Sequence, residues 1–171
     1  ASLGIDYQMV SVDVVPGGSI EAAARAARYA AFEAALGPED VLILGHHADD
    51  QVETVVMNVL RGSERPGLQG MPRDRIVGQA TLVRPLLKVE RSRLIAYAES
   101  HGLEWVEDPS NARVQHDRNF LRHEVLPTLD ERFVGWRRRI ETALARDEFF
   151  GQAVDEAVNR DLKVCLDGLG L

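Results

Sequence analysis

The chain has 171 residues, 45% hydrophobic and 27% charged, which allows a packed core and argues against disorder. The length fits one domain, or one domain and part of a second. No apolar run reaches transmembrane length, "ASLGIDYQMVSVDVV" does not read as a secretory leader, and the single Cys165 excludes an internal disulfide, a zinc ribbon and a Cys-x-x-Cys redox pair. These features predict a cytoplasmic protein with no membrane partner. The net charge of −7 is uneven: residues 1–60 hold 9 acids against 2 arginines, whereas residues 61–146 hold 16 basic side chains against 12 acids. Total charge therefore argues against nucleic acid, and its distribution leaves that partner open.

Residues 7–15, "YQMVSVDVV", alternate and are rich in valine, which predicts a strand. Pro16-Gly17-Gly18 breaks it. Ser19 is placed to cap a helix over "IEAAARAARYAAFEAAL", with Ile20, Ala24, Ala27 and Ala31 on one face. "VLILG" (41–45) is all apolar, as in a strand buried on both faces of a parallel sheet. "DDQVETVVMNVLRG" predicts a second helix stopped by Gly62. Residues 63–81, with Pro66, Gly67, Gly70, Pro72 and Gly78, read as a long functional or mobile loop. "LVRPLL" follows, then a helix over "ERSRLIAYAESHG" (90–102). "LEWVEDPSN" reads as a short strand and a turn at Asp108-Pro109, with Trp105 in the core. From Asp117 the chain reads as helical, with a break at Pro127. Strand–helix–strand–helix order predicts an α/β fold with a parallel sheet, over residues 1–111, followed by a helical subdomain over residues 112–171.

The richest chemistry lies in "GHHADDQVET", from Gly45 to Thr54. It begins where an all-apolar strand ends and a helix starts, the edge at which open α/β sheets bind ligands. Asp50 and Glu53 are three residues apart on one helix face, Asp49 adjoins them, and His46 and His47 precede them. Such an anionic patch suits a cation, either a divalent metal or an ammonium group. The bland alternative is a capping box spanning Asp50 and Glu53, with the acids favouring the helix dipole. Zinc is disfavoured by the absence of a helical His-x-x-x-His pair and of further cysteines.

"GHHADDQVETVVMNVLRGS", "GLQGM", "RPLL", "WVEDPSN" and "RNFLRHEVLP", in that order and preceded by "SIEAAARAARYAAF", resemble the tRNA(Ile)-lysidine synthase family over roughly residues 5–150. The resemblance implies a Rossmann-like sheet of the adenine-nucleotide alpha-hydrolase type, and a ligase that uses ATP with Mg2+. It adenylates C2 of the wobble cytidine in CAU-anticodon tRNA(Ile), and free L-lysine then attacks to give lysidine, AMP and pyrophosphate. By resemblance, Asp50 and Glu53 bind lysine and act in catalysis. Arg25 is the family's active-site arginine, with Arg28 the weaker candidate, and His46 and Asp49 lie near ATP or metal. Arg84, Arg113, Arg118 and Arg122 are candidates for tRNA phosphates, each against the alternative of a solvated charged face. The run Arg137-Arg138-Arg139 reads as more exposed and less functional.

One departure is large. The family's Ser-Gly-Gly-x-Asp-Ser phosphate loop is absent from these residues, so the first strand, the loop and the first helices are expected to be missing. These residues alone are therefore expected not to adenylate tRNA. The incomplete sheet is expected to leave an edge for the missing segment or another chain, which makes a homodimer an expectation. Three competing readings remain: another tRNA-modifying enzyme of the same superfamily, a non-catalytic tRNA-binding module, and a metal hydrolase using His46, His47, Asp49 and Asp50.

Overall fold

The computed structural model describes residues 4–14, 20–63, 67–109 and 116–169. Ser19, the proposed 111/112 boundary and Arg113 lie outside the described residues. The chain packs as two compact units, residues 1–45 with 73–85, and residues 46–72 with 86–171.

The first unit holds helix α1 (Ile20–Ala35) and three strands, β1 (Val41–Ile43), β2 (Asp74–Val77) and β3 (Ala80–Val83), in the order β1-β3-β2. Nine alanines in α1 explain its helicity. Ala24, Ala27 and Ala31 are half-buried as expected. Ile20 is exposed, and Tyr29 makes the core contact instead, packing with Val77 and Leu82 while Phe32, Leu42 and Leu44 lie against them.

Strand β3 pairs parallel with β1 (Leu42 opposite Leu82) and antiparallel with β2 (Val77 opposite Ala80). The sheet is therefore small and mixed rather than purely parallel. Part of the expected 63–81 loop is this β2–β3 hairpin. Gly78 and Gln79 form its two-residue turn, with Gly78 at φ +59° in the first central position, the geometry of a type II′ turn. Two further strand expectations are corrected. Residues 7–14 alternate in sequence but form no ladder, and Tyr7, Met9 and Val10 are exposed. Strand β1 lies at a sheet edge with only Leu42 turned inward, so Val41 and Ile43 are exposed rather than buried on both faces.

The second unit is helical: α2 (Ala48–Leu60), a 3-10 turn (Gly67–Gln69), α3 (Arg91–Ser100), α4 (Asp117–Phe120), a π-helical turn (Leu121–Val125), α5 (Leu126–Arg132) and α6 (Trp136–Leu169). Its core joins Val52 of α2 to Leu121, Leu126 and Trp136, with Val56, Val125, Leu129 and Ile140 against them. Gly62, at φ +67°, lies just past α2 as expected. Residues 103–108 form no strand, and Trp105 is 49% exposed, so it is not a core residue.

Pro127 does not break the chain. It lies in the first turn of α5, where its missing N–H costs least. The π-turn before it lets the Leu126 N–H reach the Leu121 carbonyl. The break comes later, at Phe133–Gly135, where Gly135 takes φ +76°. Among the described residues, no helix is long and apolar enough to cross a membrane.

Candidate active site

Helix α2 begins with a capping box, shifted three residues from the expected one. His47 is the N-cap: its backbone N–H donates to Asp50 Oδ2 (3.0 Å), and its Nδ1 accepts from the Asp50 N–H (3.4 Å). Asp50 thus closes the box rather than opening it, and Glu53 is released from capping. Asp49 anchors a second element. Its Oδ2 accepts the Arg91 N–H at 2.9 Å, at the start of α3, where an anion favours the helix dipole.

One turn into α2, Glu53 is 2% exposed. A carboxylate buried this deeply must be paired or protonated. Two arginines from the RNFLR segment provide the pairing. Arg122 Nε lies 2.6 Å from Oε1 and its Nη2 2.9 Å from Oε2, while Arg118 Nε lies 2.8 Å from Oε2. Both arginines also reach Asp50 Oδ1, at 3.3 and 3.4 Å. The Glu53 hydrogen bond holds the Arg122 guanidinium above its usual range; burial opposes the shift, and attraction to Glu53, Asp50 and Asp49 adds to it.

The network extends through Arg137. Its Nη1 is 3.3 Å from Asp49 Oδ1, and its Nε and Nη2 each lie 2.8 Å from Asp130. Trp136 Nε1 donates to the same Asp130 at 2.8 Å. The hydrogen bond to Asp130 raises Arg137, and attraction to Asp130, Asp49 and Glu53 reinforces it against burial.

The structure therefore unites residues that the sequence had separated into two roles. Asp50 and Glu53, expected at an amine site, and Arg118 and Arg122, expected on tRNA, form one ion-pair cluster. Arg137, read as exposed, is half-buried and belongs to it. No local pattern marked Arg137 or Asp130 as partners, because the break at residues 133–135 sets their geometry. His46 is half-buried beside the cap. Among the described residues, no group of three or more His, Cys, Asp or Glu side chains could hold a metal ion.

Arg25 and Arg84 belong to the first unit. Arg25 lies over the Tyr29 ring, 5.1 Å from its centroid. Arg84 is 2% exposed, so it offers an external phosphate little surface. Burial lowers its guanidinium; the neighbouring Tyr29 opposes the shift, and the like charges of Arg75 and Arg25 add to it.

Residues 1–129 match the PP-loop domain family. The chain is similar to a tRNA(Ile)-lysidine synthase of Pseudomonas putida, 45% identical over 98% of this chain and 39% of that protein. It is 54% identical to the tRNA(Ile)-lysidine synthase of Pseudomonas fluorescens over 74% of this chain and 29% of the relative. The tRNA(Ile)-lysidine synthase of Vibrio parahaemolyticus is 38% identical over 100% of this chain and 41% of its own length. The chain thus spans well under half of the curated relatives it matches. With residues 1–129 of 171 matched, it belongs to the PP-loop domain family.

Proposed function

We propose that the complete protein is a cytoplasmic tRNA-modifying ligase that joins L-lysine to C2 of the wobble cytidine of CAU-anticodon tRNA(Ile), in a Rossmann-like frame of the adenine-nucleotide alpha-hydrolase type. The observation that carries this reading is the Asp49–Asp50–Glu53 face of α2, in a chain 38–54% identical to proteins named tRNA(Ile)-lysidine synthase.

ATP supplies the adenylyl group that turns the C2 oxygen into a leaving group. The chain's part is binding, orientation and proton control. In this reading Asp50 and Glu53 hold the amines of lysine and position the ε-amine for attack. Arg25 stabilises phosphate charge, while Arg113, Arg118 and Arg122 contact tRNA phosphates; Arg84, buried, adds its charge from within rather than by contact. Within the chain, the two carboxylates are already satisfied by Arg118 and Arg122. Binding an ammonium group to the acids and an RNA phosphate to the arginines would exchange internal ion pairs for external ones of the same kind, leaving no buried charge unpaired. Mg2+ would enter with the ATP phosphates. Asp49 and Asp50 are hydrogen-bonded to Arg91, Arg137, His47, Arg118 and Arg122, an arrangement that does not fit a metal site, so no step is assigned to the ion.

The test is incorporation of radiolabelled lysine into the isoleucine tRNA by the complete protein with ATP. No incorporation would refute the reading. Asp50→Asn is expected to abolish lysine use while ATP and tRNA still bind; if their binding collapsed instead, Asp50 would not be a lysine ligand.

A further inference from the structure

In the first unit, every basic residue except Arg73 gathers around one side chain. Tyr29 is 9% exposed and fixed in the core against Val77 and Leu82, with Phe32 edge-on at 6.0 Å and 79°. Three guanidinium groups lie over its ring, with their carbons 4.8 Å (Arg75), 5.1 Å (Arg25) and 6.0 Å (Arg28) from the centroid. Arg25 and Arg28 come from α1 and Arg75 from β2, so the cluster is tertiary rather than a run of local charge. All three side chains are exposed. The buried Arg84 stands beside the phenol and adds a fourth positive charge.

Acids outnumber arginines in this unit. Even so, among the described residues no carboxylate is ion-paired with Arg25, Arg28 or Arg75; the side chain of Glu21 is outside those described. Like charges brought together repel, so a cluster of this kind is most stable with an external anion. The aromatic ring shapes what it can bind. A guanidinium lying over a ring uses its flat face for cation–π attraction and keeps its in-plane N–H donors for a second partner. Those donors match the oxygens of a phosphate.

We propose that Tyr29 gathers Arg25, Arg28 and Arg75 into a binding surface for phosphate groups. Arg75 is its new ligand-binding residue, joining Arg25 and Arg28, and Tyr29 is a positioning residue that acts through them. The charge of the site also appears at the phenol: burial alone would raise it, but Arg75, Arg25 and Arg84 hold it below the usual tyrosine range. The inference rests on the function proposed above only for its choice of phosphate ligands, a nucleotide's phosphates or an RNA backbone.

The test uses the complete protein and three probes: ATP, inorganic pyrophosphate and tRNA. Arg75→Gln and Arg28→Gln are each expected to weaken at least one probe several-fold. If RNA is the ligand, each should also lower the salt-dependence slope of tRNA binding by about 1. A loss confined to ATP and pyrophosphate assigns the surface to nucleotide phosphates; a loss confined to tRNA assigns it to the RNA backbone. Tyr29→Phe keeps the ring and should bind as wild type. Tyr29→Leu should reproduce the Arg75→Gln loss, and combining the two should add little, because both remove the same contact. Wild-type affinities and salt slopes for all three probes in Arg28→Gln and Arg75→Gln would overturn the proposal. So would a folded Tyr29→Leu that binds normally. Lysine incorporation by the wild-type protein is scored separately, so loss of that reading is not confused with loss of this one.

Discussion

Replacing Glu53 with glutamine keeps the shape of the side chain and removes its charge. Three hydrogen bonds of 2.6–2.9 Å from Arg118 and Arg122 converge on this carboxylate, which is 2% exposed. Breaking a buried ion pair by removing one partner costs about 3–5 kcal/mol. Two features reduce that figure here. The Arg118 and Arg122 side chains are 39% and 34% exposed, so both can turn partly to water. Asp50 Oδ1 also remains within 3.3–3.4 Å of both. We therefore expect a loss of about 2–3 kcal/mol, equivalent to a fall in Tm of roughly 5–10 °C. Urea denaturation of the complete protein, followed by circular dichroism, reads it as a lower midpoint with an unchanged slope. Adding Arg118→Leu and Arg122→Leu to Glu53→Gln should recover part of the loss, because the charges left without a partner are then gone. A Glu53→Gln midpoint equal to wild type would refute the view that this cluster ties α2 to the RNFLR segment.

The β2–β3 hairpin supplies a second prediction. At Gly78, φ is +59°, and an added Cβ would lie 3.2 Å from Glu33 Cγ and 3.3 Å from Glu33 Cβ, so Gly78→Ala should cost about 1–3 kcal/mol, read by the same denaturation assay. Asp130 supplies a pH dependence. The Arg137 hydrogen bond holds its carboxyl below the usual range; burial opposes this, and the Trp136 hydrogen bond adds to it. A depressed folded pKa stabilises the protein above the unfolded value, about 3.9, and that stability is lost as pH falls through the lower folded value. The stability gap between wild type and Asp130→Asn should therefore be constant above about pH 5 and shrink below about pH 4. A gap that does not change with pH down to about 2 would show that the charge of Asp130 does not contribute.

The sequence by itself determined the elements whose signal is local. The α1 helix, the α2 helix with Gly62 after it, and the α3 helix each express a preference within one or two helical turns, and each appears where expected, α3 ending at Ser100, two residues short of the expected range. Motif order likewise identified the family, because it needs no knowledge of contacts. Strands were less legible, because a strand exists only where a neighbour accepts its hydrogen bonds. Residues 7–14 alternate without such a neighbour, whereas 74–81, which read as part of a glycine-punctuated loop, belong to a pair of strands joined by a two-residue turn. Only the tertiary structure decided the charge clusters. Glu53 meets Arg118 and Arg122 across separations of 65 and 69 residues, Asp49 meets Arg137 across 88, and Arg75 reaches Tyr29 from a different element. An arginine looks the same in sequence whether it faces water or a buried carboxylate; packing selects between them, because a charge removed from water must find its opposite within a few ångströms.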